Sequence, residues 1–150
     1  MTVSKLAEFW ARARAEVPAL PEPLPGAWSF GATAEQADEL LALVLGGSKT
    51  GTASSAWDYA VEGEPLPAVG ELSVILDGAA EPRAVVQTVA VTVVPFNEVD
   101  ESHAFAEGEG DRSLAHWRRV HENFWREHSA RGFAPDMLVV CERFELIYRP

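Results

Sequence analysis

The chain has 150 residues, 47% of them hydrophobic, a single cysteine and a formal net charge of −11. That length suits one domain able to bury about 68–70% of the surface its unfolded form exposes, so no metal or disulfide is needed for folding. One cysteine excludes an intramolecular disulfide, and the acid excess excludes a protein that grips long nucleic acids through many phosphate contacts, which draw their affinity from Lys and Arg.

Residues 2–17 read as a first helix, with Leu6, Phe9, Trp10 and Ala13 on one apolar stripe. Pro18, Pro21, Pro23 and Pro25 then make an extended linker, because proline fixes φ and cannot continue a helix. Residues 1–27 are therefore expected to pack on a domain spanning 28–150. Thr33 with Gln36 forms a capping box for a second helix whose buried face is Leu40, Leu41, Val44 and Leu45, and Gly46-Gly47 stops it. The polar stretch Ser48-Lys49-Thr50-Gly51-Thr52-Ala53-Ser54-Ser55 follows and enters a strand.

Residues 71–77, 84–94 and 137–148 have strand chemistry, and Asp77-Gly78 joins the first two as a hairpin. Residues 98–111 carry six acids and no base, a pattern usual for a solvated loop. Leu114, Trp117, Val120, Phe124 and Trp125 then form the inward face of a helix over 113–131, ended by Gly132. Strands paired locally with helices inserted between them favour an α+β fold built on a mostly antiparallel sheet or barrel. No apolar run approaches the roughly 20 residues of a membrane span, and residues 1–8 lack the pattern of a signal peptide. With its lone thiol, Cys141, in an apolar run, the chain is expected to be cytoplasmic.

Charge is unevenly spread. Residues 15–111 hold 17 acids against two bases, whereas residues 112–150 hold seven arginines against five acids. Only the last third offers a polyanion a local foothold.

Lys49 stands out because the only other lysine, Lys5, lies in the first helix. A desolvated lysine can act as a base or activate a hydroxyl, which guanidinium cannot do; the plainer alternative is a cation at the C-terminus of the preceding helix. Thr50, Thr52, Ser54 and Ser55 supply nearby hydroxyls, and residues two apart in a strand share a face unless Gly51 bends it. In Glu107-Gly108-Glu109-Gly110-Asp111 the glycines allow tight turns, so a carboxylate can be aimed beside Lys49 to orient it or move protons. Trp57 and Tyr59 can stack on a base or simply pack. His103, His116, His121 and His128 lack zinc-site spacing, although His121 and His128 can share a helix face, and no metal is expected.

Taken in order, several stretches resemble the ASCH domain family, related to the PUA fold of RNA-modifying proteins. They are Phe30-Gly31, Gly47-Ser48-Lys49-Thr50-Gly51-Thr52-Ala53-Ser54, Glu62-Gly63-Glu64-Pro65-Leu66-Pro67-Ala68-Val69-Gly70, Val94-Pro95-Phe96-Asn97-Glu98-Val99 and Ala106-Glu107-Gly108-Glu109-Gly110-Asp111-Arg112-Ser113-Leu114. The resemblance implies a PUA-like, mostly antiparallel β-barrel with surrounding helices, here with an extra N-terminal helix, and a cleft for RNA or a related ligand. Short members of the family remove the acyl group of N4-acetylcytidine with a threonine nucleophile, a lysine and a glutamate; others are described as cutting RNA.

Carried over by motif, the catalytic residues are Lys49, Thr52 and Glu109, with Thr50, Ser54, Trp57, Tyr59 and Arg112 around the substrate and no cofactor. Gly51 departs from the bulkier residue of the short members. The resemblance thus implies a hydrolase of an N4-acylated cytidine-type nucleoside, with single-stranded RNA cleavage or non-catalytic RNA or ligand binding as alternatives. The partner is a small nucleoside or single-stranded RNA, not a membrane, and the low charge of a nucleoside favours the first reading.

Overall fold

Ser4 accepts the Ala7 N–H and thereby starts helix α1, Lys5–Glu16, in a computed structural model of the chain that describes residues 4–150. The first two residues of the expected helix 2–17 lie outside the described residues. The proline linker is tied back to α1, since the Trp10 indole N–H donates to the carbonyls of Pro21 and Glu22 at 3.1 Å each. Its end becomes a strand, β1 (Gly26–Trp28), which the proline-rich sequence did not suggest.

Helix α2, Ala34–Leu45, has the expected capping box: Thr33 Oγ1 accepts the Gln36 N–H at 3.1 Å, and Gln36 reaches back to the Thr33 N–H. Strand β2 (Gly51–Ser55) leads directly into a short helix, α3 (Ala56–Glu62), closed by Gly63 in the left-handed conformation. Strands β3 (Leu72–Leu76) and β4 (Pro82–Pro95) form the expected hairpin, but its turn differs from the reading of Asp77-Gly78. The connection runs from Asp77 to Glu81, and Ala80, not Gly78, takes positive φ. Gly78 is required for another reason: a Cβ there would lie 2.5 Å from the Ala34 carbonyl oxygen, so only glycine lets the hairpin tip meet the start of α2.

The acidic stretch is not a solvated loop. Asp100 accepts the His103 N–H and caps helix α4 (Glu101–Glu107), which buries His103, Ala104, Ala106 and Glu107. Helix α5 runs Leu114–His128, three residues short of the expected end, because Ser129 is drawn away to Asp58 and Trp57. Strand β5 is Leu138–Tyr148.

The five strands order as β1-β3-β4-β5-β2, with β1 parallel to β3 and all other pairs antiparallel. Register shifts in β4, one near Val85 and one between Thr88 and Ala90, bend the long strand, and the sheet curls into a mixed half-barrel. Alternation along β3 and β4 divides the core. Val74 and Val85 pack under Phe9, Trp10 and Ala13 of α1, while Ile75, Ala84 and Val86 pack with Leu41 and Val44 of α2. Each such fully buried large side chain contributes about 1.5–3 kcal/mol. A third cluster joins Trp117 and Trp125 of α5 to Val139 and Cys141 of β5. Among the described residues no helix is long and apolar enough to cross a membrane.

Candidate functional site

Lys49 is positioned by backbone contacts made after α2 ends. The Ser48 and Lys49 N–H groups both donate to the Leu43 carbonyl, at 3.0 and 3.1 Å. One residue on, the Thr50 N–H donates to the Ala106 carbonyl at 2.7 Å, and the Thr50 carbonyl accepts from Phe144 at 3.0 Å. The segment is thus pinned between α2, α4 and β5. Gly108 permits this closeness. It sits at φ +73°, and a Cβ there would fall 2.3 Å from the Ser48 carbonyl oxygen. The two polar stretches therefore meet backbone to backbone, and Lys49 and Glu109 are brought within 3.0 Å, Nζ to Oε2.

Beneath that pair lies Glu107, which is 2% exposed. Its Oε2 accepts from His103 Nε2 at 2.8 Å and from the Trp117 indole N–H. His121 Nε2 faces Oε1 at 3.3 Å, and Lys49 Nζ stands 3.5 Å from the same atom, an ion-pair distance longer than a good hydrogen bond. The ammonium is nearer the Glu107 carbonyl, at 3.3 Å. Burial alone would raise the Glu107 pKa, but the charges of His121 and Lys49 and the hydrogen bond from His103 outweigh it, and the carboxyl is held well below its ordinary range.

His121 shows the converse balance. Burial favours the neutral ring, yet the Glu107 carboxylate, with a further contribution from Glu109, raises its pKa. The hydrogen bonding agrees. Nδ1 donates to the Trp117 carbonyl at 2.8 Å, so Nε2 must also carry a proton to face a carboxylate. The imidazolium stacks on the Trp117 ring, with centroids 4.2 Å apart, an arrangement favourable to a cation. Two cations and two carboxylates thus form one network, buried at Lys49 and Glu107 and partly exposed at Glu109.

Glu107, Glu109 and His121 each offer an atom within 4.8 Å of the others, a grouping of the kind that holds metal ions. Here Lys49 already supplies the cation between the carboxylates, and the protonated His121 nitrogen has no lone pair to give. The donor set does not fit a metal while that network stands.

The Lys49 ammonium, Glu109 and His121 open on a cavity of about 240 Å³ also lined by Phe30 and Thr52. A second chamber, of about 440 Å³, adjoins it and shares Phe30, Gly31, Thr52 and Ala53. Thr52 thus borders both, and among the described residues it makes no direct hydrogen bond to Lys49 or Glu109. Ser54 and Tyr59 line the second chamber and share a hydrogen bond of 3.0 Å.

Three expected substrate residues are placed elsewhere. Thr50 does not share a wall with Thr52. Thr50 lies just ahead of β2, and its hydroxyl donates to the Ala106 carbonyl at 3.4 Å beside a separate cavity. Arg112 lies at that same cavity but is a clamp: its Nη2 donates to the Ser48 carbonyl at 3.1 Å and its Nε to the Phe105 carbonyl at 3.0 Å. Trp57 packs against the third cluster, and its indole N–H donates to Ser129. His128, expected to share a face with His121, is exposed and apart from the network. Sequence reasoning placed Glu107 in the acidic segment but missed its burial and the role of His103. The signal was there, in an Asp100 cap, a His103–Glu107 spacing of four and a closing Gly108.

A family model of the ASCH domain matches residues 26–148. A crystal structure of a protein from Enterococcus faecalis is 38% identical, with TM-score 0.86, covering 95% of this chain and 87% of that one. That of an ASCH domain from Lactobacillus crispatus is 26% identical, with TM-score 0.84, covering 99% and 98%. No curated protein matches this chain in sequence.

Proposed function

The chain belongs to the ASCH domain family, and from that premise we propose that it hydrolyses the amide of an N4-acylated cytidine-type nucleoside, with Thr52 as nucleophile and Lys49 and Glu109 as its proton partners. The observation that carries this reading is the Lys49–Glu109 pair, 3.0 Å apart, on the wall of a cavity that Thr52 also lines. An amide is a poor electrophile, and its cleavage needs an activated oxygen, a neighbour to take the proton and a donor for the leaving amine.

In this reading the Thr52 oxygen bonds to the acyl carbon, and its proton passes to the Lys49–Glu109 pair. As the C–N4 bond breaks, that proton is delivered to the departing amine. Water then cleaves the threonyl ester, returning a proton to Thr52 and releasing the carboxylic acid. Glu107 is a positioning residue in this reading, since its carboxylate and its carbonyl hold the Lys49 ammonium.

Among the described residues the cavity beside Lys49 is lined by no arginine, and the second chamber by neither lysine nor arginine, which favours an uncharged nucleoside over a phosphate-bearing strand. The test is incubation with N4-acetylcytidine and detection of cytidine. Thr52→Ala and Lys49→Ala should each lower kcat by at least about 100-fold. Absence of turnover by folded wild-type protein would overturn the proposal.

A further inference from the structure

The second chamber holds a carboxyl group that the reaction above leaves unused. Glu142 sits on β5 directly opposite Thr52 on β2, so the two side chains are cross-strand neighbours on one face of the sheet. Residues paired in this way have Cβ atoms about 4.5–5.5 Å apart. Glu142 is 9% exposed. Its Oε1 accepts from the Thr88 hydroxyl at 3.3 Å, and among the described residues its other oxygen has no hydrogen-bond partner while the side chain lines the chamber.

Around it the walls are the flat side chains of Trp28, Tyr59, Pro65 and Pro67, with Glu64 and Glu71 as the other carboxyls and, among the described residues, no basic one. A flat, uncharged group with hydrogen-bonding edges fits this lining, and a phosphate does not. Burial raises the Glu142 pKa, Glu71 adds to the rise, and the Thr88 hydrogen bond opposes it, so the neutral acid persists above the ordinary glutamate range. A neutral carboxylic acid presents an O–H donor beside a C=O acceptor. That is the complement of an aminopyrimidine edge, a ring nitrogen that accepts beside an exocyclic N–H that donates.

We propose that the second chamber is the base-recognition subsite and that Glu142 is its specificity-determining residue, its carboxyl pairing with the ring nitrogen and exocyclic N–H of an aminopyrimidine while Thr52, its neighbour across the strands, faces the acyl carbon. The proposal rests on the nucleoside reading above and adds the residue that chooses the base. The titratable groups facing Glu142 are Tyr59 from α3, Glu71 ahead of β3 and Glu64 after α3; β2 presents the hydroxyls of Thr52 and Ser54, and β4 that of Thr88.

The experiment has two readouts, cytidine binding by calorimetry and KM for N4-acetylcytidine, each between about pH 5 and pH 8. In wild type both should weaken as pH rises and Glu142 loses its proton, because a carboxylate then opposes the ring-nitrogen lone pair. Glu142→Gln, which keeps a donor beside an acceptor, should bind within about threefold of wild type at the low end and lose the pH dependence. Glu142→Leu should weaken cytidine binding about tenfold or more at every pH, with kcat changed less than KM. A pH profile unchanged in Glu142→Gln, or cytidine affinity unchanged in Glu142→Leu, overturns the role of Glu142. Failure of wild type to bind cytidine overturns the subsite itself. Glu142-dependent cytidine binding without hydrolysis sinks only the hydrolase reading, and hydrolysis indifferent to Glu142 sinks only the subsite.

Discussion

Replacing Glu107 by glutamine probes the buried network without changing its shape. One carboxylate oxygen becomes an NH2 group, and both oxygens now face N–H donors: His103 and Trp117 on one side, His121 and Lys49 on the other. Whichever way the amide is turned, donor meets donor, and among the described residues two cations are left with Glu109 as their nearby anion. Removing one partner of a buried pair costs about 3–5 kcal/mol, and because His121 can shed its proton in response, the lower end, about 3 kcal/mol, is expected.

For a domain of this size that corresponds to a fall in Tm of about 6–12 °C. The pH dependence is sharper. Glu107, with its pKa depressed, contributes stability that is present above about pH 4.3 and lost as pH falls through its native value. His121, with its pKa raised, contributes stability that is full below about pH 6.5 and lost as pH rises through its native value. Thermal melts of both proteins from about pH 4 to pH 8 should therefore show the largest gap between about pH 4.5 and pH 6.5, narrowing at each end. A variant that melts within about 2 °C of wild type throughout would refute the charge assignments.

Gly108→Ala should cost at least about 3 kcal/mol in urea unfolding, because a Cβ meets the Ser48 backbone at 2.3 Å. Gly63→Ala, at a similar φ of +69° but in open space, should cost only about 1 kcal/mol, and equal losses would show that the close approach is not what requires glycine. Trp10→Ala should lower stability by about 3–5 kcal/mol, since it strips the buried ring and two hydrogen bonds that tie the linker to α1; a loss below about 1 kcal/mol would show that α1 is dispensable packing. The Cys141 thiol is pushed up to about 12, chiefly by burial, so an aromatic disulfide reagent at about pH 8 should leave native protein unmodified and react once per chain in denaturant. Rapid native labelling would contradict its place in the core.

Local chemistry settled much of this architecture before any fold was known. Thr33 and Gln36 specify the start of α2, the Leu72, Val74 and Leu76 alternation specifies β3, and the stripe through Trp117 and Trp125 specifies α5, because caps and periodicity act over a few residues. The motif at Lys49, Thr52 and Glu109 was legible too, as a resemblance. What chain order could not reveal was which charges would leave water. Glu98, Asp100, Glu101, Glu107, Glu109 and Asp111 look alike in sequence, yet Glu107 alone of these six meets His103 on its own helix and His121, Trp117 and Lys49 from outside it, and these four partners make a buried carboxylate tolerable. Likewise Thr50 and Thr52 differ only in which side of Gly51 they fall, and Glu142 becomes a neighbour of Thr52 only when β2 and β5 pair. Desolvation and pairing of charge depend on distances across the fold, and for that reason tertiary structure decided the chemistry of the site while sequence determined its parts.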